Sequence, residues 1–329
     1  MCKLSIIMYH YVRDLRHSRY PGIKGLDVNL FQQQISFLKR KFHIVTMEEV
    51  IDAFETRNEL PENAVLLTFD DGYIDHYTYV FPILEDAGVQ GSFFIPGKTF
   101  STHELLDVNK VHYILASAHM DKLLSDVFER MNYYRGIEFD FPSNKELFAE
   151  FAKANRFDTK ETIFVKRMLQ TVLPEKLRNH ISSDLFEKYV GVSEEKLAYE
   201  LYMTREQIRT IKRHGMFIGI HGYDHYWLGN LSIEQMQADV SKALVVMDEF
   251  IDSTHWVMNY PYGNYNRDVL NYISEHGACL GMTTEVKVVD CGKLLSMEYG
   301  QLQLPRFDCN DFPPKSDNYL DIKIISEEE

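Results

Sequence analysis

Residues 64–72 read Ala-Val-Leu-Leu-Thr-Phe-Asp-Asp-Gly, a mostly branched or aromatic run that stops abruptly at two acids and a glycine. A run of this kind without polar alternation suits a strand buried on both faces, and such strands belong to parallel sheets covered by helices. The acid pair then stands at the C-terminal mouth of the strand, where βα folds carry their chemistry. An Asp-Asp-Gly behind a strand is also a common turn with a helix cap, so the run alone defines an architecture and a position.

A second segment adds chemistry to that position. Phe217–Ile220 reads as another such strand, and His221-Gly222-Tyr223-Asp224-His225 follows it. A spacing of four predicts that one helical turn aims both imidazoles at a common point. Taken alone, His-x-x-x-His is most often plain helix surface; its occurrence beside a second strand mouth favours a metal site. Two neutral imidazoles and one carboxylate leave the fourth position of a tetrahedral zinc open, as catalytic sites require. Asp71, His221 and His225 are therefore the expected ligands, with Zn²⁺ the default and other divalent first-row metals also suited to them. Strand side chains alternate, so Asp70 is aimed differently from Asp71 and is free to act as a base.

These residues resemble the NodB-type polysaccharide deacetylases, carbohydrate esterase family four. Thr68-Phe69-Asp70-Asp71-Gly72 is similar to the first motif of that family, and His221 and His225 to the histidines of its second, although Gly222 stands where a Ser or Thr usually follows the first His. Tyr260-Pro261-Tyr262-Gly263 looks like the third motif, with Asn259 in place of its leading arginine, as in the subgroup that reads Tyr-Pro-Tyr-Gly. Ile7-Met8-Tyr9-His10-Tyr11 is similar to the same subgroup, in which a Tyr-His on the first strand supplies the catalytic acid. The resemblance covers about 1–97 and 204–310. It implies His10 as the acid, the Tyr262 backbone N–H as an oxyanion donor, and Tyr260 and Pro261 beside the substrate.

Composition is that of an ordinary soluble globular protein. The chain has 329 residues, 45% hydrophobic and 26% charged, and its 49 acids against 35 bases give a formal charge of −14. That balance argues against nucleic acid or an anionic membrane as partner. Leu4 to Val12 is too short for a membrane span or a signal segment with a cleavage site, which makes a cytoplasmic location the expectation. Cys2, Cys279, Cys291 and Cys309 show no zinc-binding pairs and are expected to be reduced.

Strands are expected at Leu4–Tyr9, Ala64–Phe69, Gly91–Ile95, Met216–Ile220, Trp256–Tyr260, Cys279–Thr283 and Leu302–Arg306, separated mostly by helices. Thr46 with Glu49, Thr204 with Gln207 and Ser232 with Gln235 have capping-box spacing. Gly88, Gly215 and Gly277 sit where helices should stop. The pattern is α/β with a parallel sheet and does not separate a closed barrel from an open doubly wound sheet. The resemblance implies the family's distorted seven-stranded (β/α) barrel, over 1–97 and 204–314. Residues 98–203 interrupt the rhythm with helix-like sequence after the third strand, and are expected near the active-site face as a lid, as a subunit interface in a homo-oligomer, or as a stabilising decoration. The tail 315–329 is acidic and expected to fray.

Arg306 ends the last expected strand and could orient Asp70 with a bidentate contact in place of the missing motif arginine; a surface ion pair is the equal alternative. Trp227 and Leu228 follow the second histidine and could wall an acyl or sugar pocket, with core packing the stronger alternative for Leu228. The expected activity is metal-dependent removal of an N-acetyl or other N-acyl group from an amino-sugar saccharide, such as a cytoplasmic precursor of lipopolysaccharide or capsule. Two alternatives are a non-sugar amidase or deformylase on the same site and a carbohydrate-binding protein with a decayed site. A magnesium phosphotransferase is excluded, because hard Mg²⁺ sites rarely recruit two histidines and no phosphate-cradling loop is present.

Overall fold

The computed structural model describes residues 3–328. The run 64–69 forms the middle of strand β2 (Ala64–Asp70), every residue of which is buried. Around it lie β1 (Lys3–Tyr9), β3 (Ser92–Ile95), β4 (Phe217–Ile220), β5 (Trp256–Asn259) and β6 (Ala278–Met282), all parallel in the order β1-β2-β3-β4-β5-β6. Tyr9 pairs with Phe69, and Asp70 with Phe94, so the strand ends that carry the chemistry are level with one another.

Both faces of the curled sheet are packed, with the period of two that strands impose. Ile7, Leu67, Phe93, Ile220 and Met258 join one cluster with outer helices such as Val28–Lys41 and Ile233–Met247. Ile6, Leu66, Phe94, Val257 and Leu280 join a second cluster on the opposite face. Thr68, Asp70 and Asn259 continue this second face toward the mouth, so the polar site is an extension of an apolar wall.

The seventh expected strand, Leu302–Arg306, is broken. Gly300–Leu302 is a 3-10 turn, Leu304 makes a single parallel bridge to Met282, and only β7 (Phe307–Asp308) is a strand, parallel to Ile7–Met8 of β1. Pro305 lacks an N–H for a continuous ladder. The segment still links the β6 edge to β1 and closes the curl.

Helix ends follow their local chemistry. Thr46, Thr204 and Ser232 each form the reciprocal capping box with the residue three positions on. Gly88, Gly215 and Gly277 have φ of 66°, 83° and 91°, the left-handed region that stops a helix without steric cost. The acidic segment after Pro314 is not frayed throughout: Asn318–Glu328 is helical, and Tyr319 stacks on Phe312 at 4.7 Å with Ile322 packed against the core. Cys279 and Cys309 are free, whereas Cys291 is disulfide-bonded, which corrects the reading of four reduced thiols. Cys2 lies outside the described residues.

The chain divides into two compact units. The sheet, its helices and the motifs belong to the unit formed by residues up to Asp14, Gly25–His103 and Glu200 onward. The other comprises Leu15–Lys24 and Glu104–Tyr199 and is built from helices including Asp107–Ser117, Met120–Tyr134 and Glu175–Val190, whose Val111, Leu123, Val127, Ile181 and Leu185 are buried. No helix among the described residues is long and apolar enough to cross a membrane.

Candidate active site

Three residues at the strand mouths adopt left-handed backbone angles that only glycine takes without cost: Asp71 (φ 76°), His225 (φ 60°) and Tyr262 (φ 59°). Strain of this kind persists where the surrounding structure enforces it, and it clusters at functional sites. Here it turns Asp71 out of β2 so that adjacent carboxylates face different partners.

Asp71, His221 and His225 are all buried, and their ligand atoms converge. Asp71 Oδ1 lies 3.2 Å from His225 Nε2 and 3.5 Å from His221 Nε2, with 3.2 Å between the two Nε2 atoms. A tetrahedral zinc with bonds of about 2.1 Å separates its ligand atoms by about 3.4 Å. Among the described residues buried Asp71 Oδ1 has no hydrogen-bond partner, whereas its Oδ2 accepts from the Tyr73 hydroxyl at 2.6 Å. His221 Nδ1 donates to the Asn259 carbonyl at 2.7 Å, which leaves Nε2 as the lone-pair nitrogen. The donor set, its spacing and the orphaned carboxylate oxygen all fit a divalent cation. Burial raises the Asp71 carboxyl, but the imidazoles of His221 and His225 beside it outweigh that and hold the group well below the usual range. Burial likewise lowers the His225 imidazole against the pull of Asp71, favouring the neutral form that ligates.

The histidines are not on a helical turn, contrary to the expectation from their spacing. Residues 221–227 form a loop in which Gly222 has φ of 68°. Bending at Gly222 and His225, rather than helical periodicity, brings the imidazoles together.

Asp70 is held from two sides. Arg306 Nη1 donates to its Oδ1 at 3.0 Å, and Asn259 Nδ2 donates to the same oxygen at 2.5 Å. The guanidinium does not grip Asp70 bidentately as expected: Nη2 goes to Asn259 Oδ1 at 2.9 Å and Nε to the Thr283 carbonyl at 2.9 Å. Asn259 occupies the second fork position and shares the carboxylate. Burial raises the Asp70 carboxyl, yet the Arg306 charge, followed by His10 and His221, brings it below the ordinary value. The group is therefore ionised at neutral pH with one oxygen, Oδ2, turned toward His10.

His10 follows β1, partly exposed, with Nε2 3.8 Å from Asp70 Oδ2. Its carbonyl accepts from buried His76 Nε2 at 2.9 Å. Tyr262 lies in the turn Pro261–Gly263, its ring edge-on to His225 at 4.7 Å and stacked on Trp227 at 4.5 Å. Trp227 is thus part of an aromatic surface that starts at the second histidine. Leu228 and Tyr260 are not pocket walls: both are fully buried in the core, and the Tyr260 hydroxyl is committed to the Leu302 carbonyl at 2.8 Å. Pro261 is buried at the turn beneath Tyr262. The Asp224 side chain pairs with Lys98 at 3.2 Å rather than with an imidazole, and its backbone N–H goes to Asp239. Tyr73 was not anticipated. Its place directly after the acid-acid-glycine turn is the only signal that marks it, and its fully buried ring stacks on Tyr11 at 4.1 Å while the hydroxyl fixes Asp71.

The polysaccharide deacetylase family model matches residues 57–139 and 158–280. A putative polysaccharide deacetylase, YxkH, of Bacillus subtilis (strain 168) is 19% identical over 284 residues, 86% of this chain and 65% of the relative. The poly-beta-1,6-N-acetyl-D-glucosamine N-deacetylase of Escherichia coli (strain K12) is 35% identical over 81 residues, 24% of this chain and 12% of the relative. The chain thus spans slightly under two thirds of one curated relative and about an eighth of the other. Among solved structures, the Streptococcus pyogenes deacetylase PplD in complex with acetate superposes with a TM-score of 0.58 at 17% identity, covering 97% of each chain. IcaB from Ammonifex degensii gives 0.55 at 18% identity, covering 95% of each. These two share the fold. With the family model matching more than half of its residues, across both the acid pair and the histidine loop, the chain belongs to the polysaccharide deacetylase family.

Proposed function

We propose that this protein is a metal-dependent hydrolase that removes the N-acetyl group of an amino-sugar saccharide. The observation that carries the reading is the convergence of Asp71 Oδ1, His221 Nε2 and His225 Nε2 beside an ionised Asp70. The activity for which the Escherichia coli relative is named, N-deacetylation of an N-acetylglucosamine polymer, supports the substrate class.

When bound, a divalent cation, with Zn²⁺ the default, supplies Lewis acidity that polarises an acyl carbonyl and makes water acidic enough to attack near neutral pH. Asp70 Oδ2, the oxygen not engaged by Arg306 and Asn259, takes the proton of the attacking water. His10, 3.8 Å from that oxygen, delivers a proton to the leaving amine. The Tyr262 N–H, carried on a strained turn beside His225, stabilises the developing oxyanion. Trp227 and the Tyr262 ring offer apolar faces on which a sugar ring packs. The cytoplasmic precursor substrate expected from the sequence stays part of the proposal, and cell fractionation tests it.

Metal analysis of the purified protein and amine release from a panel of N-acetylated saccharides and simple amides test the function. Asp71→Asn should deplete the metal, because an amide oxygen is the poorer ligand. Asp70→Asn should keep the metal and lose turnover. Full activity in both variants would overturn the hydrolase reading, and turnover confined to simple amides would move it to an amidase.

A further inference from the structure

The loop that carries both imidazoles has no regular structure to define it. Its carbonyls at Gly222 and Tyr223 accept from the N–H groups of Gly97 and Lys98, at 3.0 and 3.1 Å. Its own N–H groups turn the other way, to one side chain. Asp239, on the helix Ile233–Met247, accepts from the Tyr223 N–H on Oδ2 at 2.9 Å and from the Asp224 N–H on Oδ1 at 2.8 Å. Both oxygens of a single buried carboxylate are thereby committed to the backbone between the two histidines.

Burial of an acid is costly unless hydrogen bonds compensate it. Among the described residues no cation forms a salt bridge with Asp239, and burial pushes its carboxyl up to about 6 in spite of the two N–H donors. The acid thus occupies an unfavourable place, and what it does there is hold the loop. Gly222 is matched to it. A Cβ on Gly222 would come 3.0 Å from Asp239 Oδ2, on a residue whose φ is already 68°. The missing side chain at 222 and the carboxylate at 239 fill one space.

We propose that Asp239 is a positioning residue for the metal centre: by fixing the Tyr223 and Asp224 amides it sets the path of the loop and holds His225 near Asp71 and His221 before any cation arrives. This rests on the metal reading above. It acts through the backbone and touches neither ligand atoms nor substrate.

Three measurements test it. Asp239→Asn keeps the shape but replaces one acceptor oxygen with an NH₂ group. Its Zn²⁺ affinity, measured by competition with a chromophoric chelator, should fall by about ten- to a hundredfold, the scale of losses at groups that orient metal ligands. Met236→Ala, a buried truncation on the same helix, should lower the melting temperature without changing that affinity. In the metal-free wild type, amide hydrogen exchange at Tyr223 and Asp224 should already be slow. Wild-type affinity in Asp239→Asn, an equal loss in Met236→Ala, or fast exchange at these amides would overturn the proposal. Should Asp239→Asn fail to fold, the wild-type exchange decides. Should the wild type itself bind no Zn²⁺, the metal reading fails, and slow exchange would still show the loop to be held.

Discussion

Arg306 Nη1 meets Asp70 Oδ1 at 3.0 Å across 236 residues of chain, with both side chains almost sealed from solvent. A pair of this kind is costly to break from one side only, since the survivor is a buried charge without a partner. Arg306→Met should destabilise the protein by about 3–5 kcal/mol in denaturant unfolding. Adding Asp70→Asn should recover part of that loss, and a double variant as unstable as the sum of the two singles would show the groups to be uncoupled.

The partly exposed His10 is replaceable without emptying the core. His10→Gln should retain the metal of the wild type by elemental analysis and lose roughly a hundredfold in turnover on an unactivated amide, the usual scale for a general acid. Wild-type turnover would return His10 to a structural role.

Tyr73→Phe removes one oxygen and no packing volume. Asp71 Oδ2 then loses its 2.6 Å donor and the carboxylate is free to rotate. Metal affinity should weaken by about tenfold with the fold intact by circular dichroism. An unchanged affinity would leave Tyr73 a core residue only.

Burial lowers the imidazole of His76 from 6.5 to about 4, more than its bond to the His10 carbonyl can offset. Above pH 6.5 the ring is neutral whether the chain is folded or not, and it contributes no pH dependence. Between pH 6.5 and 4 the unfolded chain takes up a proton that the folded protein refuses, so stability falls with pH by up to about 3 kcal/mol and levels off below 4. His76→Gln should remove this component. Unfolding free energies of the two proteins across pH 4–7 check it, and parallel curves would refute it.

Much of the site was readable because its signals are local. Ala64–Phe69 needs burial on both faces, an acid pair can only end such a strand, and a capping box is written within four residues. What the sequence concealed depends on partners far apart in the chain. His221 and His225 suggested a helical turn because their spacing of four coincides with that periodicity, while the actual bend comes from positive φ at Gly222 and His225. Tyr260 looked available beside the motifs but is consumed by the core, as Leu228 is in line with its stronger reading. Asp239 carries no signal of its own, since an acid in an amphipathic helix is ordinarily a surface residue. The division of Arg306 between Asp70 and Asn259 needs the closure of the sheet to be seen at all.

That closure sets an order of assembly. The segment that bridges Met282 and pairs with Ile7–Met8 is also the one that delivers Arg306. A chain emerging from the ribosome therefore has its acid pair and both histidines long before it has the counter-charge for Asp70. Until residues 304–308 arrive, the Ile7–Met8 end of β1 and the Met282 end of β6 present open edges able to pair with other chains, and the carboxylate lacks the cation that makes its burial tolerable. Closing the sheet and neutralising the base are thus one late event, and a truncation just before Leu304 would cost solubility and the active-site charge together.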